Sequence, residues 1–299
     1  MEHGELPLKP GTLWPTLIAR SVLARERNAI LTISTTPEAI EQDGVAFHVR
    51  VITALARKQL GAGTKMTGNP FLPYDPDLFV ADLSSTHVAL LNKFNVVDHH
   101  LLIVTRSFEA QEAPLTQSDY EALLMCLSEI DGLAFYNSGQ AAGASQRHKH
   151  LQMIPFPSLA EPRLPIEPLL RNVTMSGATG TIAGLPFLHA YAPVDPAWLA
   201  REKGGALSFF ACYRSLLRKV GLPDAVSPGA MATSPPYNLL VTRRWMLLVP
   251  RSQECFEGIS VNALGFAGAL LVKNMGELAT LRERGPMTAL QHVAMPRKS

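Results

Sequence analysis

The row His148-Lys149-His150-Leu151-Gln152 sets two imidazoles and an amide at every second position. In a β-strand alternate side chains share a face. His148, His150 and Gln152 then point one way, and Lys149, Leu151 and Met153 the other, the last two suited to a core. Two histidines at i and i+2 can ligate zinc, but glutamine is a poor zinc ligand and no nearby carboxylate or thiol completes the set. A neutral imidazole is also a competent nucleophile toward phosphorus when its other ring nitrogen is anchored as a donor, by a backbone carbonyl or indirectly by His148. Two satisfied histidines on a half-exposed strand are the plain structural alternative.

The loop before the row shifts the weight away from the plain structural alternative without closing it. Gly139, Ala141, Ala142, Gly143, Ala144 and Ser145 carry almost no side-chain bulk. Such a loop lets backbone N–H groups approach a phosphate, and its glycines can take the positive φ of an anion nest. Ser145 and Gln146 add side-chain donors. A phosphate held there would lie against the face carrying His150, and Gln152 would donate an N–H group as charge redistributes in the transition state. The pattern points to nucleotidyl transfer with His150 as the covalent nucleophile.

Several elements must position this row. Residues 11–27 read as an amphipathic helix and 45–56 as a strand. Residues 61–77, rich in Gly, Pro and Asn, read as a long loop. Strands are expected over 86–94 and 100–106, with a turn at 95–99 that leaves His99 and His100 solvated. Residues 115–130 form a helix opened by a Thr116/Asp119 capping signal, followed by strands at 133–137 and 147–154. Residues 157–185 read as a linker and 206–220 as a helix. Strands 239–242 and 245–249 turn at a solvated Arg243-Arg244. A helical pattern runs from 262 to about 284, and the last 15 residues read as a basic surface tail. His87 falls in a strand as a structural histidine. No repeat of fixed period is visible. Neighbouring strands that look like hairpins favour an α+β fold with a mainly antiparallel sheet. The expected division is an N-terminal part, 1–165, with the active-site strand, and a C-terminal part, 166–299, that completes the nucleotide site, the two forming one compact unit.

The 299 residues carry 27 basic and 25 acidic side chains, a formal net charge of +2, so charge gives no reason to expect a nucleic-acid partner. Hydrophobic residues make up 47%, enough for a sizeable core. No apolar run approaches the roughly 20 residues of a membrane span, and the N-terminus has no signal-peptide pattern. Cys126, Cys212 and Cys255 form no CxxC and read as reduced thiols. A soluble, cytoplasmic protein is expected. Gly61-Ala-Gly-Thr-Lys65 lacks the spacing of a P-loop.

His148-x-His150-x-Gln152 resembles the His-x-His-x-Gln signature of the histidine-triad and galactose-1-phosphate uridylyltransferase superfamily. The wider stretch Asn137-Ser-Gly-x-x-Ala-Gly-x-Ser-Gln-x-His-Lys-His-Leu-Gln152 resembles the diadenosine tetraphosphate phosphorylases, or ATP adenylyltransferases. So do Leu90–Phe94, His100–Arg106, Tyr237–Thr242, Trp245–Arg251 and Val261–Gly268. The resemblance spans about 60–275 and implies a histidine-triad-like fold. It makes His150 the adenylylated residue, Gln152 its phosphate partner and His148 the third catalytic position. It puts Asn137, Gly143, Ala144, Ser145 and Gln146 at phosphates and ribose. Lys65, Asn92 and Lys93 in the first half, and Asn262, Ala263, Leu264 and Lys273 in the second, become nucleotide contacts. The implied substrates are diadenosine tetraphosphate and phosphate, or ATP and ADP in reverse. Magnesium or another divalent cation would come with the nucleotide and no protein-held metal is expected. A hexose-1-phosphate nucleotidylyltransferase and a non-catalytic nucleotide sensor are the alternatives.

Overall fold

The computed structural model describes residues 8–57, 68–156, 163–200, 204–224 and 234–297. Helix α1 (Leu13–Glu26) leads to the hairpin β1 (Thr35–Gln42) and β2 (Val45–Ile52). Then follow β3 (Phe79–Asp82), β4 (His87–Leu91), β5 (Leu101–Thr105), helix α2 (Gln117–Glu129), β6 (Gly132–Asn137) and β7 (His150–Pro155). A second series comprises β8 (Val173–Ser176), β9 (Thr179–Ile182), β10 (Ala190–Pro193), helix α3 (Gly205–Val220), β11 (Tyr237–Val241) and β12 (Trp245–Pro250). The chain closes with the small pair β13 (Cys255–Phe256) and β14 (Ile259–Ser260), the short helix α4 (Ala263–Phe266), β15 (Ala269–Val272), α5 (Met275–Arg284) and α6 (Pro286–Val293).

The central sheet has ten strands in the order β3-β4-β5-β7-β6-β11-β12-β10-β9-β8. Every pairing in it is antiparallel. The fold is therefore the expected α+β class. One face, with Ile103, Leu151, Met153, Ala134, Leu239 and Leu248, packs against α1, α2 and α3. On the other face Phe135, Leu240, Leu247 and Val249 meet the inward row of β2 (Val45, Phe47, Val49, Val51) and the C-terminal helices. β2 pairs antiparallel with β1 and parallel with β15, tying the first strands to the last.

The sheet order reads the same from both ends: β3-β4-β5-β7-β6 and β8-β9-β10-β12-β11 are one topology used twice. A helix precedes the fourth strand of each series. Register follows the same rule. Leu101 pairs with Met153 as Ala190 pairs with Leu248, and Gly132 with Pro155 as Tyr237 with Pro250. The structure thus contains a repetition that is not visible as a sequence repeat. The repetition lives in hydrogen-bond register, which many apolar sequences satisfy, and not in residue identity.

Other boundaries also differ. The 157–185 linker contributes β8 and β9, whose Thr/Gly-rich hairpin sits at the sheet edge. β1 and β10 were not anticipated. The 262–284 segment is interrupted by β15, and the basic tail contains α6, with Met287, Leu290 and Val293 buried. The helix itself carries no lysine, arginine, aspartate or glutamate; its apolar stripe lies between the basic residues that flank it. Among the described residues no helix is long and apolar enough to cross a membrane.

Candidate active site

β7 begins at His150, later than expected, because the chain diverges from β6 at the small-residue loop; His148 makes only an isolated bridge to Ala110. The face pattern holds. Leu151 and Met153 enter the helix-covered core, while His150 and Gln152 lie on the opposite face.

His150 is buried, and its Nδ1–H donates to the carbonyl of His148 at 2.8 Å. A carbonyl only accepts, so the ring proton belongs to Nδ1, and Nε2 keeps its lone pair. Burial, only partly opposed by that hydrogen bond, lowers the pKa to about 4, so the ring is neutral near pH 7. The Phe71 ring stands 5.3 Å from it.

His148 has both nitrogens engaged. Its Nε2–H donates to the Thr105 carbonyl at 2.8 Å, and Nδ1 accepts from Asn69 Nδ2 at 2.8 Å. Phe71 and Phe108 meet the ring edge-on. What reaches the His150 ring is the His148 backbone carbonyl, while the His148 imidazole is tied to Thr105 and Asn69.

Gln152 has an unanticipated partner. His100 lies 8% exposed, not solvated at a turn, and its Nε2 is 2.9 Å from Gln152 Oε1. His100 Nδ1 lies 3.2 Å from Asn92 Nδ2. Burial lowers the His100 pKa to about 4, against the Gln152 hydrogen bond, which raises it. The solvated-turn expectation holds only partly for His99, which takes φ 56° and lies 3.0 Å from Ser21 Oγ. Nothing in the local sequence marked His100, because the β5–β7 pairing that carries it to Gln152 is a tertiary contact.

Two more buried groups hold the strand. Where β6 and β7 part, Gln111 replaces the missing ladder. Its Oε1 accepts from His150 N–H at 2.9 Å, and its Nε2 donates to the carbonyls of Asn137 (2.9 Å) and His150 (3.2 Å). On the far face Lys149 is fully buried and donates to Asp119 (2.8 Å), Glu109 (3.1 Å) and the Pro114 carbonyl (3.0 Å). Asp119 also accepts from Thr116 in the predicted capping box and lies 3.1 Å from His87. Burial alone would raise the Asp119 pKa; His87 and Lys149 together hold it at about 2. Breaking one partner of such a buried pair costs about 3–5 kcal/mol.

The small-residue loop folds over the second half of the chain. Gly139 and Gly143 take φ 82° and 85°. A Cβ on Gly143 would stand 2.7 Å from the Val261 carbonyl and 2.9 Å from Asn262 Cα, so only glycine fits there. The N–H groups of Ala142, Gly143 and Ala144 donate to the carbonyls of Gly139 and Gln140, making a closed turn. Asn137 Oδ1 accepts from Ala263 N–H (2.9 Å) and from Asn238 Nδ2 (2.8 Å). Asn238 Oδ1 in turn accepts from the buried Arg251. Arg251 donates besides to four backbone carbonyls, those of Ala142, Val293, Gln253 and Glu254, and stacks over Phe266.

The structure thus brings together His148, His150, Gln152, Asn137, the loop 143–146 and Asn262–Leu264. Asn92 joins through His100. Lys93 follows it on the same loop, and Lys273 is exposed at the end of β15, 3.9 Å from Glu277. Lys65 lies outside the described residues. Arg243 is not solvated, since it donates to the carbonyls of Leu127 and Ser128 at the end of α2. His87 is structural, as expected. Among the described residues no three His, Cys, Asp or Glu side chains group as a metal centre requires.

Residues 3–172 match the model of the Ap4A phosphorylase N-terminal domain, and 183–296 that of the ATP adenylyltransferase C-terminal domain. The chain is 31% identical over 240 residues to diadenosine 5',5'''-P1,P4-tetraphosphate phosphorylase 2 of Saccharomyces cerevisiae, covering 72% of each chain. It is 28% identical over 251 residues to the protein APA1 of the same yeast, covering 76% of this chain and 74% of that one. Its fold is similar to the crystal structure of yeast Ap4A phosphorylase Apa2 in complex with Ap4A, with a TM-score of 0.79 at 24% identity, over 98% of this chain and 100% of that one.

Proposed function

The chain belongs to the Ap4A phosphorylase and ATP adenylyltransferase family, and we propose that it phosphorolyses diadenosine tetraphosphate reversibly through an adenylyl-histidine at His150. The observation that carries this reading is the His150 Nδ1–H bond to the His148 carbonyl, which leaves a neutral ring with its lone pair on Nε2.

In the first step Nε2 forms a bond to the α-phosphorus, and the bond from that phosphorus to the bridging oxygen breaks, releasing ATP. The imidazole carries positive charge while joined to phosphorus, and the His148 carbonyl faces the Nδ1–H that bears much of it. In the second step an oxygen of inorganic phosphate attacks the adenylyl phosphorus, Nε2 leaves and ADP forms. ATP is a weakly basic leaving group, so no strong general acid is needed, which suits a glutamine at 152. Gln152 donates an N–H to the non-bridging oxygens.

The remaining contacts are the ones that the family resemblance implies. The N–H groups of Ala142, Gly143 and Ala144 are used within the turn, and Ser145 and Gln146 at the end of the loop hold phosphate. Asn137, Gly143, Ala144 and Asn262 to Leu264 shape the nucleotide side, with Asn92, Lys93 and Lys273 beyond. Lysines act there as point charges on a polyanion. Magnesium travels with the polyphosphate and is not held by a protein cage. A cytoplasmic setting fits free thiols at Cys212 and Cys255 and substrates drawn from ATP and ADP.

Chromatography of products tests the reading. Diadenosine tetraphosphate should yield ATP and ADP only when phosphate is present. Formation of ATP and AMP at the same rate without phosphate would make the protein a hydrolase.

A further inference from the structure

We propose that His100, oriented by Asn92, is the positioning residue that fixes the Gln152 amide with its N–H groups toward the substrate phosphate. The proposal rests on the phosphorolysis reading above and adds a residue to it.

The orientation can be derived from one obligatory donor. The Phe94 backbone N–H donates to Asn92 Oδ1 at 3.0 Å. Oδ1 is thereby assigned, so the other end of that amide, Nδ2, is what faces His100 Nδ1 at 3.2 Å. An amide nitrogen only donates, so His100 Nδ1 accepts and the ring proton belongs to Nε2. That Nε2–H is 2.9 Å from the Gln152 side chain and needs an acceptor, which makes the facing atom Oε1. Gln152 Nε2 then occupies the other end of the amide, away from His100. A glutamine amide free to flip would present a carbonyl oxygen to the phosphate for part of the time and repel it. Asn92 and His100 remove that choice before substrate arrives.

The second half of the sheet supplies an internal comparison. By register, His189 stands before β10 as His100 stands before β5. There Nε2 accepts from Ile182 N–H at 2.7 Å and Nδ1 lies 2.8 Å from the Phe187 carbonyl. The residue matching Gln152 is Leu247. A histidine at this position is therefore satisfied by its own backbone surroundings when no amide needs orienting. The link from His100 to the neighbouring strand is specific to the half that carries the nucleophile.

The test uses the full-length protein with diadenosine tetraphosphate and phosphate. His100→Phe keeps a ring and removes the group that orients the amide; kcat should fall about 30-fold, less than the roughly 10²-fold or more of losing the donor itself, with KM for the dinucleotide changed by no more than about 3-fold. His100→Gln, which can present an N–H at the same reach, should recover to within about 5-fold of wild type. In a Gln152→Ala background His100→Phe should cost nothing more. Nitrogen-15 NMR of the wild-type imidazoles reads the tautomer without any turnover, and His100 should carry its proton on Nε2. Full kcat in His100→Phe, losses that multiply with Gln152→Ala, or a proton on His100 Nδ1 would each overturn the proposal. If His100→Phe does not fold, His100→Gln and the NMR tautomer carry the test. Absence of ATP and ADP from the wild-type protein would instead defeat the phosphorolysis reading, and the tautomer would still be measured.

Discussion

The two five-strand series share topology and register and differ in what they place on one strand. On β7 the outward face carries His150 and Gln152; at the matching positions of β12 it carries Trp245 and Leu247, both buried. The first face borders the small-residue loop, and the second is sealed by β2 and the C-terminal helices. One backbone therefore serves as a site or as a core according to two side chains and what covers them. The strands supply spacing and rigidity, and the chemistry is added at particular positions.

The largest difference is expected at the first pair. His150→Ala removes the nucleophile, and phosphorolysis measured by ATP release should fall by about 10⁴-fold or more. Trp245→Phe should leave turnover within about 2-fold. Retained activity in His150→Ala would erase the distinction between the halves.

The next pair is Gln152 and Leu247. Gln152→Ala should lower kcat by about 10²-fold or more, the loss seen when one oriented donor is removed, with little change in unfolding midpoint. Leu247→Ala should show the reverse: a loss of about 2–5 kcal/mol in denaturant unfolding, with kcat nearly unchanged. A kcat loss in Leu247→Ala equal to that of Gln152→Ala would show that the halves are coupled more tightly than register requires.

The smallest effect is a pH profile. His150 holds its pKa at about 4, so kcat/KM for the dinucleotide should stay level from pH 7 to near 5.5 and fall toward pH 4. Stability behaves differently. His100, His150 and His189 all sit near 4 when folded, because burial holds them below the ordinary imidazole value of 6.5. Between those values the unfolded chain binds protons that the folded one does not, so stability falls as pH drops from about 6.5 to 4. His189→Asn should make that stability slope shallower and leave the kcat/KM profile in place. A shifted activity profile would tie the second half to the chemistry.

The helix over 117–129, its capping box, the strands around 87–105 and the alternation at 148–153 were all legible, because each is written in residues close together in the chain. The edge strands β8, β9 and β10 were not, since four-residue strands with Gly, Thr and Pro carry little periodicity. The C-terminal helix α6 was hidden by the basic residues around it. Gln111 offered no signal, because a glutamine that replaces a missing ladder bond is recognised only once the divergence of β6 and β7 is known.

The sequence alone determined the alternating His-x-His-x-Gln row, the low-bulk loop and the α+β class, because side-chain alternation and glycine tolerance are properties of a few neighbouring residues. Only the tertiary structure decided which nitrogen of His150 holds the proton, which way the Gln152 amide faces, and that His100 takes part. Each depends on one donor or acceptor brought within about 3 Å by strand pairing across distant parts of the chain, and no local pattern specifies that pairing.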